Sequence, residues 1–77
     1  MKVRLYTTPF CKFCKDVKAL FETHNISYEE VDVVVDDKAR EQMVKDSGQM
    51  GVPVIDIDGE ILVGYNRKKL EKALKVA

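Results

Sequence analysis

The feature that most constrains this chain is the segment Thr8-Pro9-Phe10-Cys11-Lys12-Phe13-Cys14, where a strand pattern gives way to a helix pattern around two cysteines. Upstream, Lys2 to Thr7 carries Val3, Leu5 and a β-branched end, which reads as a strand. Thr8-Pro9 breaks it. Downstream, Phe13 to about His24 reads as a helix, with Phe13, Val17, Leu20 and Phe21 on one apolar stripe at i, i+4, i+7 and i+8. On that spacing Phe13 is expected to pack into the core. Cys11 therefore falls at or just before the helix N-terminus.

The rest of the chain continues an α/β order. Ile26 to Val35 contains a second strand built on Tyr28, Val31, Val33, Val34 and Val35, ahead of an acidic start at Asp36-Asp37 and a helix from about Lys38 to Ser47. Its apolar face, chiefly Ala39, Met43 and Val44, is thin. Val52 to Ile57 and Glu60 to Val63 are short strands joined by Asp58-Gly59, a strong signal for a tight hairpin with positive φ in the turn. Gly64-Tyr65 turns the chain, and Asn66 can cap a last helix with Leu70, Ala73 and Leu74 on its buried face. Strands joined through a helix should run parallel, and hairpin strands antiparallel. The expectation is one domain over residues 1–77, βαβαββα, with a four-stranded mixed sheet flanked by three helices.

The cysteine spacing carries the chemistry. Unpaired N–H groups and the helix dipole favour negative charge at a helix start. A thiolate is the nucleophile in disulfide exchange, so this position activates Cys11, and Lys12 and Lys15 add positive charge. Cys14 lies about one helical turn inside, within reach of the Cys11 sulfur and more buried. Such a pair beside a βαβ pattern suits two-step exchange between dithiol and disulfide. Other readings are weaker. A structural zinc site takes four ligands, and the only other soft candidate, His24, is on the order of 15 Å along a continuous helix. His24 is better placed as a helix-end residue. A structural disulfide closing so short a loop would stabilise little. A metal or iron–sulfur site shared between two chains, or a redox-inactive binding module, is the competing arrangement.

Charge and composition narrow the partners. With 45% apolar and 34% charged residues, the chain is not disordered by composition. The net charge is zero, but the signs are segregated, with basic excess before residue 21 and after residue 65 and acidic excess between. The basic blocks either steer acidic partners towards the cysteines or are simply solvated helix faces. No dense basic stripe with interleaved aromatics points to nucleic acid. No apolar run approaches the ~18 residues of a membrane span. No secretory signal is evident, although a chain with its signal removed would look the same. A cytoplasmic, reducing setting is expected, where a close cysteine pair is more often catalytic or metal-binding than structural.

Together, Thr7-Thr8-Pro9-Phe10-Cys11-Lys12-Phe13-Cys14, Gly51-Val52-Pro53-Val54-Ile55 and Gly64 resemble the glutaredoxin branch of the thioredoxin fold, and the likeness covers nearly the whole chain. The segment from Ser47 to Ile57 looks closest to small prokaryotic glutaredoxin-like proteins and is similar to NrdH-type redoxins, which donate electrons to ribonucleotide reductase. The resemblance implies a cis Val52–Pro53 bond beside the cysteines, with the Val52 backbone pairing with substrate as an added strand. It implies catalysis by Cys11 and Cys14 and a substrate surface of Pro9, Phe10, Lys12, Val52, Pro53, Gly64 and Tyr65. Where typical glutaredoxins have Pro-Tyr between the cysteines, this chain has Lys12-Phe13. Thr8 stands where they often carry a lysine, and Val63-Gly64-Tyr65-Asn66-Arg67-Lys68 where they have Gly-Gly and acidic residues. Glutathione and a thioredoxin reductase both stand as expected reductants of a Cys11–Cys14 disulfide. No bound metal or organic cofactor is expected, and the protein is expected to act as a monomer on disulfide-containing proteins.

Overall fold

The computed structural model describes residues 1–76. Its elements are β1 (Val3–Thr7), α1 (Lys12–Thr23), β2 (Glu29–Asp32), α2 (Asp37–Ser47), β3 (Val54–Ile57), β4 (Glu60–Val63) and α3 (Arg67–Leu74). The four strands form one mixed sheet in the order β2-β1-β3-β4. β1 runs parallel to β2 and antiparallel to β3, and β3 and β4 form the antiparallel hairpin. Asp58 and Gly59 both have positive φ, as the turn requires. The Asp56 carboxylate accepts from the Gly59 N–H at 2.8 Å and fixes that turn.

Alternation along the strands divides the apolar side chains between two faces. Val3, Leu5, Ile55 and Ile57 pack against Val17, Leu20 and Phe21 of α1 and Leu70 and Leu74 of α3. Tyr6, Val54 and Val33 pack against Met43 of α2 on the other face. Tyr28 leans on Phe21, with ring centroids 4.8 Å apart. Each helix start is capped by its preceding side chain: the Cys11 sulfur, an Asp36 carboxylate oxygen and the Asn66 amide oxygen. α1 ends where Asn25 takes a left-handed φ, and α2 where Gly48 does. His24 caps α1, and its Nε2 lies 3.3 Å from a Glu71 carboxylate oxygen, tying α1 to α3.

Three expectations need correction. The valine run after β2 is a turn rather than strand: the Asp32 carboxylate accepts from the Val34 N–H at 2.8 Å and swings the chain out, leaving Val34 and Val35 exposed. β3 begins at Val54 rather than Val52, since Pro53 has no N–H to donate to a ladder. Phe13 is 56% exposed, not core. Side chains on a helix lean towards its N-terminus, so Phe13, in the first turn, leans past the end of the sheet, and the buried stripe starts at Cys14.

Candidate active site

The C-terminal ends of β1, β2 and β4 and the start of β3 meet at one end of the sheet. From there the chain leaves β1 through Thr8-Pro9-Phe10. The Cys11 N–H donates to the Thr8 carbonyl at 3.2 Å, and the Phe10 N–H to the Thr8 hydroxyl at 3.3 Å. This tight turn sets Cys11 as the cap of α1, with extended backbone dihedrals, and its sulfur accepts the Cys14 N–H at 3.1 Å. The cap position that usually holds an oxygen here holds a sulfur, aimed along the helix dipole. Cys11 and Cys14 are joined as a disulfide, with Cα atoms 5.3 Å apart. The two sulfurs are not equivalent. Cys11 is partly open to solvent, whereas Cys14 is 2% exposed.

The remaining expected residues fall around this disulfide unevenly. The pairing of Tyr6 with Val54 brings Pro53 and Val52 to the level of Thr7 and Thr8. The Val52–Pro53 peptide is cis, with Pro53 buried and Val52 half-buried. Gly64 has φ +77, a conformation that favours glycine, and its N–H donates to the Pro53 carbonyl at 2.9 Å. That bond joins the start of α3 to the proline loop. Pro9 and Lys12 are exposed, Phe10 is 89% exposed, and Tyr65 is on the surface. Phe13, in the first turn of α1, is exposed as well, so large apolar side chains on both sides of Cys11 in the chain are open to solvent.

The structure brings Thr7, Lys18, Glu30 and Asp32 to the site, none of which the sequence singled out as a site residue. An open cleft of about 300 Å³ beside the disulfide is lined by Cys14, Thr7, Lys15, Lys18, Glu30 and Asp32, among others. Lys18 pairs with Glu30, and the buried Thr7 hydroxyl donates to the same carboxylate at 3.2 Å. Lys18 was recoverable as the residue four past Cys14 on one helix face. Glu30 was not, because strand pairing alone brings it there. Among the described residues, no group of three or more His, Cys, Asp or Glu is gathered that could hold a metal ion.

Comparison with known proteins gives the site its setting. A family model described as glutaredoxin matches residues 3–62. An uncharacterized glutaredoxin-like 8.6 kDa protein in the rubredoxin operon of Clostridium pasteurianum is 42% identical over 73 residues, covering 95% of this chain and 97% of that protein. Glutaredoxin 3 of Escherichia coli is 36% identical over 62 residues, covering 80% of this chain and 75% of its own. Among solved structures, a mutant of the thioredoxin-like protein BC3987 superposes with a TM-score of 0.93 at 34% identity, covering 99% of this chain and 97% of that one. With a matched family model over most of its length and a cysteine pair at the start of its first helix, the chain belongs to the glutaredoxin family.

Proposed function

We propose that this protein is a dithiol oxidoreductase that reduces disulfides in partner proteins or small molecules. One observation carries the reading: the Cys11 sulfur caps α1 and accepts a backbone N–H, while its partner Cys14 is buried one turn on. In the reduced protein the same N–H and helix dipole favour the Cys11 thiolate. That thiolate attacks one sulfur of the substrate disulfide. A Cys11–substrate bond forms, the substrate S–S bond breaks, and one substrate thiolate leaves and takes up a proton. The Cys14 thiolate then attacks the Cys11 sulfur, forming the Cys11–Cys14 disulfide and releasing the second substrate thiol. Two electrons pass from the protein to the substrate, and no metal or organic cofactor enters either step.

Pro9, Phe10, Lys12, Val52, Pro53, Gly64 and Tyr65 form the contact surface in this reading. The exposure of Phe10 and the level of Val52 beside Thr8 support it. Two electrons from glutathione or from a thioredoxin reductase restore the dithiol in a reducing, cytoplasmic setting, and ribonucleotide reductase is one candidate acceptor. Two variants test the assignment. Cys11→Ser is expected to abolish reduction of a protein disulfide such as that of insulin. Cys14→Ser is expected to stop after the first step and accumulate a mixed disulfide through Cys11, visible as a mass adduct. Full activity in Cys11→Ser would overturn the roles. Offering the oxidised protein glutathione, or a thioredoxin reductase with NADPH, then identifies the reductant.

A further inference from the structure

At the active-site end, three helix starts carry opposite charge. α2 begins with Asp36 and Asp37, whereas α1 and α3 have no acidic residue in their first turns. Those turns hold Lys12 and Lys15, and Arg67, Lys68 and Lys69. The acids at this end gather at the end of β2 and the start of α2. Asp32 accepts from the Val34 N–H, Asp36 from the Ala39 N–H, and Asp37 pairs with Arg40. Glu30 pairs with Lys18. Of the cations, Arg67 pairs with Glu71, while Lys12, Lys15, Lys68 and Lys69 are exposed and make no ion pair among the described residues. Asp32 and Asp36 keep their negative charge, so this end is divided: acidic at the end of β2 and the start of α2, basic at the starts of α1 and α3. Gly64, bonded to Pro53, holds the start of α3 beside the proline loop, so Lys68 and Lys69 lie on the side away from the acidic start of α2.

The positive charge of Lys12 and Lys15 can serve the Cys11 thiolate. Lys68 and Lys69 stand on another helix, where the dipole disfavours them, and sulfur chemistry does not account for them. Tyr65, three residues before Lys68, is exposed, as are Phe10 and Phe13 at the start of α1. We infer that the protein's preferred partner is a protein segment whose cysteine is flanked by acidic and apolar side chains, the acids meeting Lys68 and Lys69. The inference rests on the disulfide-reducing reading above and specifies its substrate class. Charge complementarity of this kind raises the encounter rate and fades with salt.

The test uses pre-reduced full-length protein in single turnovers with synthetic peptides. Each peptide carries one disulfide and differs only in whether Glu, Gln or Lys flanks the cysteines. Hydroxyethyl disulfide serves as an uncharged small probe. At low ionic strength the Glu peptide is expected to react about tenfold faster than the Lys peptide, and salt near 1 M, with a screening length of about 3 Å, should level them. Lys68→Glu/Lys69→Glu should collapse or invert that ratio. Lys45→Glu/Lys72→Glu makes the same change of net charge in the last turns of α2 and α3 and should preserve it. Equal rates for the three peptides, or the same ratio after Lys68→Glu/Lys69→Glu, overturn the inference and leave the oxidoreductase reading standing. A loss of preference in both double variants also overturns it, because net charge alone would then explain the ranking. Failure of the wild-type protein to reduce any peptide or hydroxyethyl disulfide overturns the function, and the inference falls with it.

Discussion

A side chain capping a helix usually offers an oxygen; here Cys11 offers sulfur, and the Cys14 N–H approaches it at 3.1 Å. That donor favours a thiolate over a neutral thiol, because hydrogen bonds to the ionised form stabilise it. In the reduced protein, iodoacetamide should therefore modify Cys11 about tenfold faster than a free model thiol at slightly acidic pH. Cys14, at 2% exposure, should be protected, as peptide mapping of the alkylated protein would show. Modification of Cys14 first, or of Cys11 only at the free-thiol rate, would contradict the cap as the source of activation. The position of Cys11 was legible because Thr8-Pro9 stops one pattern just before another begins. The exposure of Phe13 was not, since helical periodicity assigns a face but does not know where the sheet beneath it ends. The partnership of Thr7 with Glu30 was hidden for a related reason: it joins two strands 23 residues apart in sequence.

Among the elements, α3 depends most on its local signals. It has eight residues, too few to be stable as an isolated helix. The cations of its first turn oppose the macrodipole, each at a cost of roughly 0.3–1 kcal/mol when exposed and unscreened. Against this stand the Asn66 cap, whose amide oxygen accepts the Lys69 N–H at 3.1 Å, and the burial of Leu70 and Leu74. Asn66→Ala removes the cap and should cost about 1 kcal/mol. In urea the unfolding midpoint should fall with an unchanged m-value, and no shift would show that packing alone fixes the helix start. Asn66 was legible as a cap from residue type and place. The Val33–Val35 run misled because strand propensity counts three valines and overlooks the preceding Asp32, whose side chain captures the Val34 N–H. Pro53 shortened β3 by the equally local lack of a donor.

Across the whole molecule, the sheet separates two cores of unequal size. α1 and α3 share nine buried residues with the sheet, while the α2 face has four, with Met43 the only fully buried side chain of α2. The order of elements was readable in the sequence, and so was the thinness of the Ala39-Met43-Val44 face. The assignment of helices to faces was not, because it follows from which strand residues alternate up or down once β1 is central. The imbalance makes a prediction about stability. A chain of 77 residues has a folding free energy of about 4–12 kcal/mol at usual values per residue. Met43→Ala should remove about 2–5 kcal/mol, a large part of that total. In the wild-type protein, hydrogen exchange should find α2 opening at lower free energy than α1 and β1. Met43→Ala should widen that gap, with α2 amides accelerating more than those of Val17 to Phe21. Equal protection of both helices before and after the substitution would mean that the two faces unfold as one unit despite their unequal cores.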